Sequence, residues 1–129
     1  MAPHSCSPPP PGQASRQAAG AAAEAEAARY LESRGLRVAE RNFRVRGGEI
    51  DLICRDRDAV VFVEVRQRAR SDFGGAAASI TAAKQSRVIV AARHWLARHP
   101  KEAARPCRFD CVLVEAGRLE WIKDAFPGD

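Results

Sequence analysis

The sequence EIDLICRDRDAVVFVEVR, residues 49–66, contains two apolar segments separated by the charged tetrapeptide RDRD at 55–58. The second segment is rich in valine, whose branched side chain favours β-strands. We therefore predict strands over 49–54 and 60–66. The short polar connection between them indicates that the two strands form a hairpin.

Two carboxylates fall on neighbouring strands of this hairpin. Side chains alternate between the two faces of a strand, so Glu64 shares the face of Phe62 and Arg66. Asp51 can then lie beside Glu64 on the adjacent strand. Two carboxylates a few ångströms apart repel each other unless a cation lies between them, and Mg²⁺ and Mn²⁺ prefer oxygen ligands. We therefore predict a divalent metal site at Asp51 and Glu64; the alternative is a Glu64–Arg66 ion pair at the exposed end of the sheet.

The same alternation marks the faces that we expect to be buried. In the second strand the wholly apolar face consists of Val61, Val63 and Val65. In the first strand the face opposite Asp51 consists of Ile50, Leu52 and Cys54.

The rest of the chain supplies two helices and three more strands. An alanine-rich, helix-prone segment spans 14–33, and a second helix spans 80–98 after a loop over 69–78. Further strands are predicted over 36–46, 109–115 and 119–123. The order of helix, three strands, helix and two strands is that of a mixed α/β domain.

The length and the net charge of the chain favour some classes of protein over others. The chain has 129 residues, enough for one domain, which we place at 14–126 after a Pro-rich leader over 1–13 that we expect to be disordered. Lys and Arg total 21 against 16 Asp and Glu, and this net charge of +5 favours an anionic partner, nucleic acid first. No apolar run approaches the roughly 18 residues of a membrane span, which argues against an integral membrane protein.

The cysteines indicate a reducing compartment. Cys6, Cys54, Cys107 and Cys111 form no CxxC pair and lack the spacing of zinc ligands. Cys54 and Cys111 lie in apolar stretches, where we expect them to pack as small hydrophobic residues. No secretory signal is visible, so we expect a cytoplasmic protein.

The segments GEIDLI and FVEV, together with RNFRVRG, FGGAAASITAAK and RFDCVLV, resemble the YraN-like family of predicted endonucleases over residues 20–126. An Asp followed by ExK on a β-hairpin is also the mark of restriction-endonuclease-like nucleases, and archaeal Holliday-junction resolvases are distantly similar. The resemblance implies a restriction-endonuclease-like core, a central mixed β-sheet flanked by helices in αβββαβ order.

The resemblance also implies roles for single residues. Asp51 and Glu64 would match the metal-binding acids, and Glu24 would match an acid that resolvases carry on the first helix. From its own context Glu24 is either near the sheet, if Leu31 packs inward, or an ordinary surface residue. Arg66 stands where the family's catalytic lysine is expected.

Arg66 is a departure from the family pattern. Arginine binds phosphate well but does not readily lose a proton, so Arg66 can stabilise charge and cannot act as a general base. Lys84 is the candidate substitute because it falls within the apolar stripe of the second helix. Its side chain either extends to the rim or points into the site.

Arginines in the middle of the chain are candidates for nucleic-acid contacts. We select Arg44, Arg46 and Arg68 because guanidinium groups bind phosphate through paired donors. Phe73 in the following loop either stacks on a base or folds back onto the core.

These observations predict a metal-dependent endonuclease that hydrolyses DNA phosphodiester bonds with Mg²⁺ or Mn²⁺. The resolvase likeness points to branched DNA, and a homodimer is expected of a junction-cutting enzyme because it needs two active sites. The alternative is a non-catalytic nucleic-acid-binding module on the same fold. Whether the chain is an enzyme stays open here because arginine replaces the expected lysine.

Overall fold

A computed structural model of the chain describes residues 11–67, 80–115 and 117–128. Residues 1–10 of the predicted leader lie outside these ranges. The predicted loop over 69–78, which contains Phe73, and the candidate Arg68 lie outside them as well.

The element order agrees with the predicted one. The elements are α1 (Pro11–Ser33), β1 (Arg37–Val45), β2 (Gly48–Asp56), β3 (Ala59–Gln67), α2 (Ala82–Arg98), α3 (Pro100–Ala103), β4 (Cys107–Glu115) and β5 (Arg118–Phe126). The short α3 was not predicted. Helix α1 begins at Pro11, inside the predicted leader; proline is tolerated there because the first turn of a helix has no partner for its N–H groups.

The five strands form one mixed sheet in the order β1-β2-β3-β4-β5. All neighbours are antiparallel except β3 and β4, which run parallel. Parallel neighbours need a crossover connection, and α2 lies in that connection. The α/β class and the central mixed sheet flanked by helices are confirmed, and this architecture is compatible with a nuclease-like core.

The two long helices cover opposite faces of the sheet. Ala27, Ala28 and Leu31 of α1 pack with Val61 and Val63. On the other face, Val88, Ala91 and Trp95 of α2 form a core cluster with Val60 and Phe62 of β3. Strand β3 is therefore buried on both sides, which explains its nearly continuous apolar sequence. The predicted alternation along β3 is confirmed.

The predicted alternation along β2 is wrong at Ile50. Leu52 and Cys54 lie in the cluster under α1, whereas Ile50 lies with Ile53 in the cluster under α2. Pairing of β2 with β3 begins only at Leu52, and the register with β1 skips Asp51, opposite which Asn42 has a left-handed backbone with φ 52°. The alternation is interrupted at Asp51, where β2 leaves β3.

The cysteines agree with their predicted packing. Cys54 and Cys111 are buried free thiols, and burial raises the pKa of each to about 12, which keeps them protonated. None of the helices in the described part of the chain has the length and apolarity that a membrane-spanning helix needs.

Gly48 sets the distance between β2 and α2. A Cβ at this position would lie 2.3 Å from the carbonyl oxygen of Arg87 and 2.8 Å from the amide nitrogen of Ala91. Both are backbone atoms of α2, so no side-chain movement relieves the overlap. The glycine lets the helix backbone approach the strand closely and so fixes the height of α2 above β2.

We predict that Gly48→Ala destabilises the fold by roughly 1–3 kcal/mol, the usual cost of overpacking. Gly20→Ala is the control, because a Cβ there meets nothing within 4 Å and alanine favours a helix. Urea unfolding followed by circular dichroism measures both. Equal stability of Gly48→Ala and the parent chain would contradict the close approach.

Candidate functional site

The site lies where β2 and β3 separate. The last paired residues at this end are Leu52 and Val63, and the same register would place Asp51 opposite Glu64. Pairing stops there, and the Asp51 carboxylate instead accepts a hydrogen bond from the backbone N–H of Val65, at 2.8 Å from N to Oδ2. The gap between the strands therefore lies between the two acids that the sequence singled out.

Glu64 is a buried carboxylate without a hydrogen bond. Its residue is 1% exposed, and neither Oε1 nor Oε2 has a hydrogen-bond partner among the described residues. The Lys84 ammonium lies 3.0 Å from Oε2, close enough for an ion pair but not in hydrogen-bonding geometry. Burying a carboxylate with so few partners is costly, and such groups are frequent at functional sites.

Lys84 points into the site. Of the two orientations considered for it, the structure shows the inward one, since Nζ lies 3.0 Å from Glu64 and 3.8 Å from Glu49 Oε1. The helix begins just before it, where the Thr81 hydroxyl accepts a hydrogen bond from the Lys84 N–H at 3.1 Å. This cap directs the first turn of α2 towards the end of β3.

Glu49 forms the outer edge of this cluster. Besides Lys84 it binds the Arg87 guanidinium at 3.0 Å and lies 3.9 Å from Arg44. Glu49 therefore connects two arginines of the surface with the buried ion pair of Lys84 and Glu64.

Glu24 reaches Asp51 from the other side of the sheet. This residue of α1 is half-buried and shares hydrogen bonds with Asp51 and Asn42. Two carboxyl groups can share a hydrogen bond only if one of them carries a proton, and the bond opposes ionisation of Glu24 while favouring that of Asp51. The predicted position of Glu24 near the sheet is thus observed.

Burial raises the pKa of both acids. For Asp51, burial outweighs the Val65 N–H and the positive charges of Lys84 and Arg44, which favour the carboxylate. For Glu24, burial acts together with the negative charge of Asp51. Both groups therefore hold protons more tightly than the same residues in water.

The remaining predicted site residues in the described ranges are three arginines. Arg66 is half-buried at the end of β3 and forms no ion pair with any residue that the structure describes. Arg44 is near enough to favour ionisation of Asp51 and Glu24. Arg46 is exposed beside the β1–β2 turn.

Three participants escaped the sequence analysis. Asn42 binds Glu24 from a left-handed backbone conformation with φ 52°, which asparagine tolerates better than most residues. Arg87 holds Glu49, and the Val65 N–H holds Asp51. A lone Asn and a backbone group carry no pattern that sequence reasoning can use.

The donors fit a hard divalent cation that keeps several waters. No cluster of three or more His, Cys, Asp or Glu ligands is assembled for a metal within residues 11–67, 80–115 and 117–128. Mg²⁺, however, commonly uses one or two carboxylates and takes its other ligands from water and substrate phosphates. Glu64 Oε1, which has no hydrogen-bond partner among the described residues, and the Asp51 carboxylate on the adjacent strand are oxygen donors of this kind.

Comparison with known proteins finds a family and close relatives. The pattern of the family described as Uncharacterised protein family UPF0102 matches residues 23–114. A UPF0102 protein of Dechloromonas aromatica is 63% identical over 112 residues, covering 87% of this chain and 91% of that protein. A UPF0102 protein of Cupriavidus taiwanensis is 56% identical, covering 89% of this chain and 87% of the relative. One of Nitrosomonas europaea is 57% identical, covering 83% and 92%.

We predict that Asp51→Asn stabilises the protein at pH 7 in the presence of a chelator. A raised pKa means that the folded state disfavours the ionised form of Asp51. The stability that the protonated carboxyl group contributes is therefore complete below the ordinary pKa of about 4 and is lost as the pH rises through the folded-state pKa. The neutral amide keeps an acceptor for Val65. The gain should be on the order of 1 kcal/mol, the usual scale of single substitutions.

Urea unfolding at pH 4.5 and pH 7 measures this effect, with the exposed Asp58→Asn as the control. The variant should lose less stability than the parent chain between the two pH values. A variant that is less stable at pH 7 and keeps the parental pH dependence would show that the Asp51 charge is favourable in the fold.

Proposed function

This chain belongs to the uncharacterised protein family UPF0102, the YraN family, and we propose that it is a metal-dependent endonuclease that hydrolyses DNA phosphodiester bonds. The observation that carries the proposal is the Glu64 carboxylate, which is buried without a hydrogen bond, lies 3.0 Å from Lys84 and belongs to the strand adjacent to that of Asp51. An arrangement that costs stability and joins two acids to a cation is suited to binding a divalent metal and a phosphate.

Asp51 and Glu64 would hold the metal, Mg²⁺ or Mn²⁺. Once bound, the ion would polarise a phosphoryl oxygen and lower the pKa of water. The Val65 N–H fixes the Asp51 carboxylate, and the Glu24 carboxyl group fixes it from the α1 side. These contacts orient one metal ligand before the metal arrives.

Lys84 and Arg66 would supply positive charge to the phosphate. In the described structure Lys84 neutralises Glu64; a metal at the same carboxylate would take over this task and leave the ammonium for the charge that develops at phosphorus. The Arg66 guanidinium can only bind a phosphate or stabilise negative charge. Lys84 on α2 therefore takes the part that the family pattern gives to a lysine on the strand.

A basic surface beside the site would hold the DNA backbone. We assign this contact to Arg44 and Arg46, and from the sequence alone to Arg68, because guanidinium groups bind phosphate through paired donors. We propose branched DNA as the substrate class and a homodimer as the active form, on the resolvase likeness alone. The cytoplasm is the proposed compartment, in line with the buried free thiols.

We predict that Glu64→Gln abolishes cleavage and that Lys84→Gln slows it by about 10²–10³-fold, the usual cost of removing one group that stabilises the transition state. Labelled four-way junction, flap, duplex and single-stranded DNA are incubated with Mg²⁺ or Mn²⁺. The matched controls are Glu26→Gln on α1 and Lys101→Gln on α3. No cleavage of any substrate by the parent chain would contradict the proposal, and retained DNA binding would then favour the non-catalytic binding module.

We also predict that Mn²⁺ raises the melting temperature of the parent chain. A ligand that binds only the folded state stabilises it by mass action. Glu64→Gln should melt at the same temperature with and without Mn²⁺, while Glu26→Gln should respond like the parent. An equal shift in Glu64→Gln would place the metal elsewhere.

A further inference from the structure

A groove of about 780 Å³ lies at the other end of α1 from Glu24. It is bordered by the end of α1, the β2–β3 turn, β4 and β5, and its lining includes Arg34, Arg57, Arg108, Trp121 and Lys123. Glu24 and Ser33, which also lines it, are nine helical residues apart, so the groove is about 14 Å from the candidate metal site along α1. The two sites can therefore be tested separately.

The charges of the groove are unbalanced towards positive. Arg108 binds Asp56 at 3.0 Å and the buried Asp110 at 3.0 Å, so its guanidinium is already occupied. Arg34, Arg57 and Lys123 are exposed and form no ion pair with any residue in the described ranges. Arg34 and Lys123 lie over the rings of Tyr30 and Trp121, at 5.9 and 4.5 Å from the ring centres. Three cations without an ion-pair partner in the described ranges still favour a ligand with more than one negative charge.

Trp121 gives the groove a fixed aromatic surface. Its indole N–H donates to Asp110 Oδ2 at 2.9 Å, and its ring meets Tyr30 edge to face at 6.4 Å between centroids. The Lys123 ammonium lies 4.5 Å from the centre of the same ring. The ring orientation is therefore set before any ligand binds, and a ligand that stacks on the face under Lys123 would have to displace this exposed lysine side chain.

We propose that this groove binds a single-stranded segment of nucleic acid, with a phosphate on Arg34 and Arg57 and a base stacked on Trp121. The base would replace the Lys123 ammonium, which is then free to bind a neighbouring phosphate. The cations would bind the phosphate and the fixed aromatic face would stack with the base, a combination that is common in single-strand-binding proteins. A duplex does not offer an unstacked base to the ring. The inference does not depend on the nuclease activity, since it needs neither metal nor cleavage.

The proposal is tested by titrating the full chain, in EDTA, with an oligothymidylate of ten nucleotides and measuring tryptophan fluorescence. Trp95 is 2% exposed, so stacking on Trp121 is the expected source of quenching. Arg34→Ala combined with Arg57→Ala should weaken binding about tenfold or more and lower the salt slope by about 1.4, because each phosphate contact on a single strand contributes about 0.7. Arg93→Ala combined with Arg98→Ala removes the same charge from the opposite layer and should leave binding unchanged.

Three results would overturn the proposal: parental affinity in the Arg34 and Arg57 double variant, binding without quenching, or thymidine monophosphate binding as tightly as the oligonucleotide. A Trp121→Phe variant that binds with intermediate affinity would support stacking and keeps an aromatic ring in place for folding. Failure of the nuclease proposal is recognised separately, as absence of cleavage while this metal-free binding persists.

Discussion

The Glu64 carboxylate is the constraint on which the rest of the site depends. It follows four buried apolar residues of β3, residues 60–63, and Lys84 is the cation that offsets its charge. Isolated burial of a charge is too costly for a fold of marginal stability, so the surroundings must compensate it. Where β2 separates from β3, side chains take the place of backbone pairing, and they supply this compensation.

Both helical layers contribute to the same point of the sheet. Helix α2 delivers Lys84 to Glu64, and its height above β2 depends on the absent side chain of Gly48. Helix α1 brings Glu24 close to Asp51, so that each residue influences the pKa of the other. The site therefore requires the complete three-layer fold, while its raised carboxyl pKa values lower the stability of that fold at neutral pH. Such an exchange of stability for preorganised charge is typical of active sites.

The sequence was sufficient for the two long helices and the five strands, and for placing Asp51 and Glu64 on adjacent strands, because alternation in β3 and the short connection to β2 are local properties. It failed at Ile50, since the alternation is interrupted at Asp51, where β2 leaves β3 and the opposite residue Asn42 has a left-handed backbone. The direction of Lys84 and the Glu24–Asp51 hydrogen bond depend on the packing of helices distant in sequence. The groove at Trp121 joins four separate segments, so no local motif could indicate it.

Arg66 occupies the position at which the ExK motif of restriction-endonuclease-like nucleases has a lysine, and the proposed nuclease would use Lys84 in its place. The proposed function requires that Asp51 and Glu64 together bind a divalent cation. Anomalous diffraction from crystals soaked in Mn²⁺ tests it most directly. We expect a peak within about 2.2 Å of an oxygen of each carboxylate, with the Lys84 ammonium displaced from Glu64. A Glu64 carboxylate that still faces Lys84 alone, with manganese bound elsewhere or not at all, would contradict it.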